Sequence, residues 1–321
     1  MSRKKYWKNT VAAILLGTVA WGGGALAQEN WPNRPIQMVV PFAPGGDTDF
    51  NARVYSQYLT DELGVSLPVL NATGAGGSIG ARQVKDAKPD GYTVLFFHSA
   101  LFVNQASGLV DFSFRDFDFG AIVAREAGNL IVVNSQSKWK SLEDLVKDSQ
   151  AKPDTINITG NIGATTYLVA RLLNKAGARF SIIDMGGSSE RMRAVIGNHV
   201  EVSQNPLGQI KPFVERGDVR ALATITDERL PQFPDVPTTA ELGYDATFQY
   251  DYFFLFPKGT PPAVLKRFVD AAERVSKNPK YIKDIGEKYY QQPYFLRGEA
   301  ALRRMEQMEG IVQSVDLKIA K

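Results

Sequence analysis

Apolar residues in this chain come in short runs closed by glycine, proline or small polar residues, and between the runs they recur at helical spacing. Residues 36–40 form the first run and read as a buried parallel strand. A helix is expected from about 48 to 63, with Ala52, Tyr55, Leu59 and Leu63 on one face and Gly64 ending it. Residues 68–70 are a second strand. Gly74-Ala75-Gly76-Gly77 then leads into a helix ending near Ala87, and Lys88-Pro89-Asp90-Gly91 is a turn by composition. Residues 93–97 are a third strand. This β-α-β-α-β order implies a parallel sheet with right-handed crossovers.

Strands at 120–125 and 130–133 follow, and then the alternation restarts. Helices are expected at 141–149, capped by Ser141, and at 164–176, 188–196 and 206–216, the last with proline in its first turn. Strands are expected at 155–158, 180–184, 200–203 and 219–225. A late strand at 252–256 and helices at 261–276, 279–288 and 298–317 complete the chain. Because the α/β pattern occurs twice, before about residue 125 and after about 130, two similar lobes are expected, and no solenoid. The length of 321 residues agrees with about two domains.

The first 27 residues break the pattern. Arg3, Lys4, Lys5 and Lys8 precede an apolar stretch at 11–19, and Ala25-Leu26-Ala27 is a small-x-small cleavage signal. Residues 1–27 therefore read as a secretory signal peptide cut before Gln28, with a periplasmic destination. The apolar stretch is short for a membrane anchor. Four of the 37 basic residues and none of the 34 acidic ones lie in this segment, so the formal charge of +3 falls to −1 without it. Nucleic acid is therefore not implied as a partner. The chain has no cysteine, which excludes thiol chemistry, Cys-ligated zinc, iron–sulfur clusters and lipid attachment at a cysteine.

Four glycine-rich turns lead from expected strands into expected helices. They are Gly45-Gly46 before Thr48, Gly74 to Gly77 before Ile79, Gly160-Asn161-Ile162-Gly163 before Thr165, and Gly186-Gly187 before Glu190. Helix starts carry unpaired N–H groups and the positive end of the dipole, and glycine lets a ligand approach the backbone. A single such turn is ordinary in α/β proteins. Two in each lobe point to an anion held in a cleft between lobes. Gly74 to Gly80 reads GAGGSIG, a near miss for the dinucleotide fingerprint because Ile79 stands where the third glycine belongs. No GxxxxGK[ST] occurs. Small carboxylates remain the best anion class.

Side-chain chemistry adds less. His98 follows the third strand and is placed to donate to a carboxylate, or is a plain loop histidine. His199 sits in a Gly-Asn-His turn and reads as structural. Two distant histidines make no metal site, and neither HExxH nor GxSxG is present. Asp47 and Asp49 are read as helix-start capping residues in preference to a catalytic pair. Phe248, Tyr250, Tyr252, Phe253, Phe254 and Phe256 suggest a core strand, from which Tyr250 is the residue expected to reach the cleft.

Four blocks carry a family resemblance: WPNRPIQMVVPFAPGGDTDFNAR, GAGGSIGARQVKDAKPDGYTVL, DVPTTAELGY and PKGTPPAVLKRF. Through nearly the whole chain after residue 27 the sequence resembles the periplasmic substrate-binding proteins of tripartite tricarboxylate transporters, the Bug-type receptors. The resemblance implies a type II periplasmic-binding-protein fold, two Rossmann-like α/β lobes joined by two crossing strands with a ligand cleft between them. It places lobe one at 28–127 plus 251–321 and lobe two at 128–250, with crossings near 125–129 and 248–251.

It also implies ligand-contacting positions. Phe42, Ala43, Pro44, Gly45, Gly46, Asp47 and Thr48 form the first loop, and Gly74, Ala75, Gly76, Gly77 and Ser78 the second. His98, Ser99 and Ala100 follow the third strand. Lobe two supplies Thr159, Asn161, Gly163, Ala164, Thr165, Thr166, Gly186, Gly187, Ser203 and Asn205, and Tyr250 completes the set. The chain departs from the family at Ala72-Thr73, at Asp184-Met185, at Glu201 with Ser203-Gln204-Asn205, and at Asp251 where a tryptophan is common. These departures leave the ligand open.

The expected function is an extracytoplasmic receptor that binds a small organic carboxylate, a di- or tricarboxylate or an aromatic one, and passes it to membrane permease subunits. A monomer with no cofactor, no metal and no enzymatic activity is expected. His98, Phe102, Tyr250 and the 203–205 stretch favour a planar or polyhydroxylated ligand. A receptor that presents its ligand to a membrane sensor kinase without transport stays open, and a secreted enzyme on the same fold would need a catalytic cluster not found here.

Overall fold

Two five-stranded sheets organise the protein in a computed structural model that describes residues 30–319. The expected signal peptide lies outside the described residues. Strands β1 (Gln37–Val40), β2 (Val69–Asn71) and β3 (Thr93–His98) pair in parallel in the order β2-β1-β3. The sheet is extended by β10 (Asp251–Pro257) and β4 (Phe117–Arg125), with β10 antiparallel to both neighbours. The second sheet has the order β7-β6-β8-β5-β9, from β5 (Asn129–Asn134), β6 (Ile156–Gly160), β7 (Phe180–Asp184), β8 (Val202–Pro206) and β9 (Val219–Thr224). The fold is therefore the two-lobed α/β arrangement, and the expected lobe boundaries fall between β4 and β5 and just before β10.

Ten helices surround the sheets among the described residues. Lobe one carries α1 (Asp47–Leu63), α2 (Ser78–Lys85), α3 (Ala100–Ala106), α8 (Pro262–Ser276), α9 (Pro279–Tyr289) and α10 (Gly298–Gln313). Lobe two carries α4 (Leu142–Ala151), α5 (Thr165–Lys175), α6 (Ser188–Ile196) and α7 (Leu207–Glu215). None is long and apolar enough to cross a membrane. Local chemistry sets their ends. The four apolar residues expected on one face of α1 are all buried, and Gly64 stops the helix in the left-handed region at φ 73°. Ser141 caps α4, its Oγ accepting from the Asp144 N–H at 3.1 Å.

Two sequence expectations are corrected. The stretch after the third strand is a helix start: β3 passes through Ser99 directly into α3. Only His98 and Ser99 separate two apolar runs, and the helix is seven residues long, so its start is hidden although Ser99 holds the cap position. Ser203 and Asn205 lie within a strand instead of a loop, because β8 runs on to Pro206 with all five of its residues buried. Ser203 and Asn205 bond to each other, and Gln204 Nε2 reaches the Thr159 and Thr166 carbonyls, which is how a polar stretch enters a core.

The late strand is the keystone of lobe one. All seven residues of β10 are buried. Phe254 packs edge-on against Tyr55 of α1 (ring centroids 5.5 Å) and Phe268 of α8 (4.9 Å). Each such fully buried phenylalanine contributes about 2–3 kcal/mol. Where the chain crosses between lobes, the Glu126 N–H donates to the Tyr250 carbonyl at 3.1 Å, tying the two crossings together.

Asp251 stands fully buried beside this junction. It accepts from Arg125 Nε at 2.7 Å and from Arg304 Nε of α10 at 2.6 Å. The family departure at Asp251 is thus an ion-pair centre, and the residue is not on the cleft wall. Asp251→Ala is expected to lower stability by about 3 kcal/mol in urea unfolding, because two half-buried guanidinium groups lose their counter-ion. A change below about 0.5 kcal/mol would show that the network contributes nothing.

Candidate functional site

The site begins with the turn between β1 and α1. Gly45 takes φ 76°, and its N–H donates to Asp49 Oδ2 at 3.0 Å. Asp49 also accepts from Arg53 Nε at 2.9 Å and Asn71 Nδ2 at 2.9 Å, and Asn71 Nδ2 holds the Phe42 carbonyl at 2.8 Å. Burial acts to raise the Asp49 pKa, but the bonds from Arg53, Gly45 and Asn71 outweigh it and hold the carboxyl below its ordinary value. Asp49 therefore braces the glycine turn.

Asp47 does something else. No side chain caps α1, and Asp47 Oδ2 accepts instead from the Tyr250 hydroxyl at 3.2 Å. The capping reading is corrected for this residue. Asn129 Nδ2 approaches the same hydroxyl at 3.5 Å, which turns the phenolic proton toward Asp47. Oδ1 of Asp47 has no hydrogen-bond partner among the described residues.

Lobe two contributes two more helix starts. The Asn161 N–H donates to Thr166 Oγ1 at 3.0 Å, shaping the entry to α5. Gly187 precedes α6, and Ser188 and Arg191, three apart, share one face of that helix. Arg191 folds back, donating through Nη1 to the Gly186 carbonyl at 2.6 Å and through Nε to the Gln204 carbonyl at 3.3 Å. Its Nη2 donates to no described residue.

These pieces line one cleft that is partly open to solvent. Of the residues expected at the site, Phe42, Ala43, Gly46, Asp47, Thr48, His98, Asn161, Ala164, Thr165, Thr166, Gly187 and Tyr250 line it. Ser188, Arg191 and Pro206 line it too and were not singled out from the sequence. A lone arginine inside an amphipathic helix ordinarily faces solvent, and only its spacing after the Gly186-Gly187 turn signals otherwise.

The remaining expected residues lie behind or beside the cleft wall. Gly45, next to Pro44 in the first turn, offers its carbonyl to Ser189 Oγ at 2.9 Å and Gln209 Nε2 at 3.2 Å across the interlobe contact. Gly74 to Ser78 form a tight turn into α2. There Asn104 Nδ2 of α3 bridges the Gly76 carbonyl (3.0 Å) and the Gly163 carbonyl (2.6 Å) of the opposite lobe. Ser99 donates to Met308 Sδ at 3.0 Å, and Ala100 donates its N–H to His98. Thr159, Ser203 and Asn205 form a buried chain, Oγ1 to Oγ at 3.1 Å and Oγ to Oδ1 at 2.7 Å. It ends with Asn205 Nδ2 on the Ser188 carbonyl at 2.9 Å. Asn205 thereby fixes the start of α6. Gly186 holds Arg191.

Electrostatics follow from burial. His98 Nδ1 accepts from the Ala100 N–H at 3.1 Å, and burial, then the charge of Arg191, pushes its pKa down to about 3. The ring is neutral with its proton on Nε2, a donor toward the cleft. It stacks on Phe42 at 5.1 Å and packs against Tyr250 at 4.7 Å. Arg191 is lowered to about 10 by burial and stays charged. Glu126, buried without a partner behind Asp47, is raised well above its ordinary value by burial and by the Asp47 charge. Burial raises Asp47 to about 7, against the lowering effects of Tyr250 and Arg191. Among the described residues no cluster of three or more histidine or carboxylate side chains is placed to hold a metal ion.

The Asp47 shift sets a pH dependence. Its folded pKa of about 7 exceeds the ordinary 3.8, so the folded protein holds a proton that the unfolded chain releases between these values. Its contribution is full below about 3.8 and is lost as pH rises to about 7. The ligand-free Asp47→Asn variant is therefore expected to gain stability over the parent progressively from pH 4 to pH 7, read by urea midpoints. An equal difference at both pH values would contradict this environment for Asp47.

Known proteins place the geometry. Residues 51–298 match the sequence profile of the family described as tripartite tricarboxylate transporter family receptor. Protein BugT of Bordetella pertussis is 31% identical over 75% of this chain and 76% of its own. The solved periplasmic binding protein BugD superposes with a TM-score of 0.81 at 27% identity, covering 88% of this chain and 97% of that one. MatC from Rhodopseudomonas palustris, solved with bound malate, has a TM-score of 0.79 at 24% identity over 88% of this chain and all of its own, a likeness of fold.

Proposed function

The chain belongs to the tripartite tricarboxylate transporter receptor family of periplasmic solute-binding proteins, and from that premise we propose that it captures a small organic carboxylate between its lobes for delivery to the permease subunits of such a transporter. Export by the expected signal peptide and periplasmic residence belong to the same reading. The observation that carries it is the buried guanidinium of Arg191, with its Nη2 group left over, where the starts of α1, α5 and α6 meet in one cleft. A planar cation beside helix N-termini suits a carboxylate better than any neutral solute. The malate bound to MatC is one such acid. Receptor work asks for capture and release, and the family is one of receptors, so binding without turnover is the reading adopted.

Closure supplies the release mechanism. The bonds of Ser189 and Gln209 to Gly45, and of Asn104 to Gly163, exist only with the lobes together. A ligand that touches both lobes favours that arrangement over a separated one.

Thermal unfolding of ligand-free residues 28–321 tests the solute class against carboxylates, sugars and nucleotides. A binding carboxylate at about a hundredfold excess over Kd adds roughly 2.7 kcal/mol and raises Tm by about 5–10 °C. Arg191→Gln is expected to weaken that binding about 100-fold, with a neutral amide in place of a charged donor. Response to sugars or nucleotides alone would refute the carboxylate reading.

A second test concerns closure. Gly76 has φ 64°, and a Cβ there would stand 2.6 Å from the Ile162 carbonyl oxygen of the other lobe. Gly76→Ala leaves every cleft-lining side chain in place, yet it is expected to weaken binding about tenfold and to enlarge the liganded particle in small-angle scattering. Unaltered affinity would show that this contact plays no part in closure.

A further inference from the structure

The cleft is rich in donors: the spare Nη2 of Arg191, His98 Nε2–H and the backbone N–H groups of three helix starts. Among the described residues, Asp47 is the only carboxylate on its wall. The residue is 5% exposed, and its Oδ1 accepts from no described residue while Oδ2 is held by Tyr250. No ion pair joins Asp47 to Arg191 among the described residues, although both line the same cavity. A ligand with only carboxylate groups would satisfy the donors and bring its charge against Asp47.

We infer that the ligand is a small acid carrying a protonated amine, with its ammonium on Asp47 Oδ1 and its carboxylate on Arg191 and the starts of α5 and α6. The inference rests on the receptor reading above and narrows its substrate class.

Three further features agree. Asp47 and Asp49 both lie in the first turn of α1, so two carboxylates already oppose the positive end of that helix dipole, whereas α5 has no acidic residue in its first turn and α6 has one, Glu190, set against Arg191 beside it. The anion-holding end of the cleft is therefore in lobe two and the cation-holding end in lobe one. Glu126 is not on the cleft wall, and burial, with the Asp47 charge, raises its pKa well above the ordinary value, so it favours a cation there less than Asp47 does. An empty site leaves Asp47 partly protonated, and an ammonium alongside restores its charge, because a buried carboxylate is ionised most readily next to a cation.

Calorimetric titration of residues 28–321 with matched acids tests this. The pairs are L-alanine and propionate, L-aspartate and succinate, L-glutamate and glutarate, and L-phenylalanine and 3-phenylpropionate. In at least one pair the amino acid is expected to bind about 100-fold more tightly than its amine-free partner. Asp47→Asn is expected to shrink that ratio below about fivefold by weakening the amino acid and strengthening the amine-free acid. Tyr250→Phe, which frees Asp47 from its anchor, is expected to shrink it part of the way. Circular dichroism of both variants shows that they are folded.

An amine-free acid that binds as tightly as its partner in every pair overturns the inference and leaves the receptor reading standing. So does a ratio that survives Asp47→Asn. So does proton uptake on succinate binding, about half a proton at pH 7 where Asp47 titrates, read from buffer dependence, since Asp47 would then be a protonated donor to a second carboxylate. If no acid of either kind binds, the receptor reading fails and this inference fails with it.

Discussion

A guanidinium and a carboxylate buried on one cavity wall without an ion pair between them form a costly arrangement. Charges taken out of water lose several kcal/mol of solvation each, which only close partners offset. Arg191 meets part of that cost with two backbone carbonyls, and Asp47 with one phenol. What remains unmet faces the cleft. The rest of the structure holds these two groups on one cleft wall.

The topology explains how. Both lobes place their glycine turns at the C-terminal edge of parallel strands, so the helix starts of both point at one region. The two crossings, tied by the Glu126 to Tyr250 bond, hold those edges opposite one another. Asp251 with Arg125 and Arg304 fixes the start of β10 beside the crossing. Tyr250 leaves that junction and reaches Asp47, which couples the hinge region to the cleft through one hydroxyl. Asn205, Ser203 and Thr159 brace α6 from beneath, where Ser188 begins the helix that carries Arg191.

Much of the fold is legible in the sequence, and the reasons are specific. The strand-to-helix glycine turns are legible because glycine is needed wherever backbone must come close, as Gly76 shows against Ile162. The run from Tyr252 to Phe256 is legible because a strand buried on both faces is continuously apolar. Helix α3 is hidden because it is only seven residues long and Ser99 alone separates it from β3. Strand β8 is misjudged because Ser203, Gln204 and Asn205 look solvated until the Ser203–Asn205 bond and the bonds of Gln204 to the Thr159 and Thr166 carbonyls are seen. Asp47 reads as a cap because capping and ligand binding ask for the same residue at the same helix start, and only the position of Tyr250, 203 residues later, tells them apart. Arg191 carries no signal at all until α6 is placed. The four quoted blocks name the family, and the family profile over 51–298 agrees.

The most direct measurement is a crystal structure of the protein with whichever acid binds it most tightly. The account predicts a ligand carboxylate oxygen within about 3 Å of Arg191 Nη2, enclosed by both lobes. A ligand bound elsewhere, or one in the cleft with its carboxylate turned away from Arg191, would contradict it.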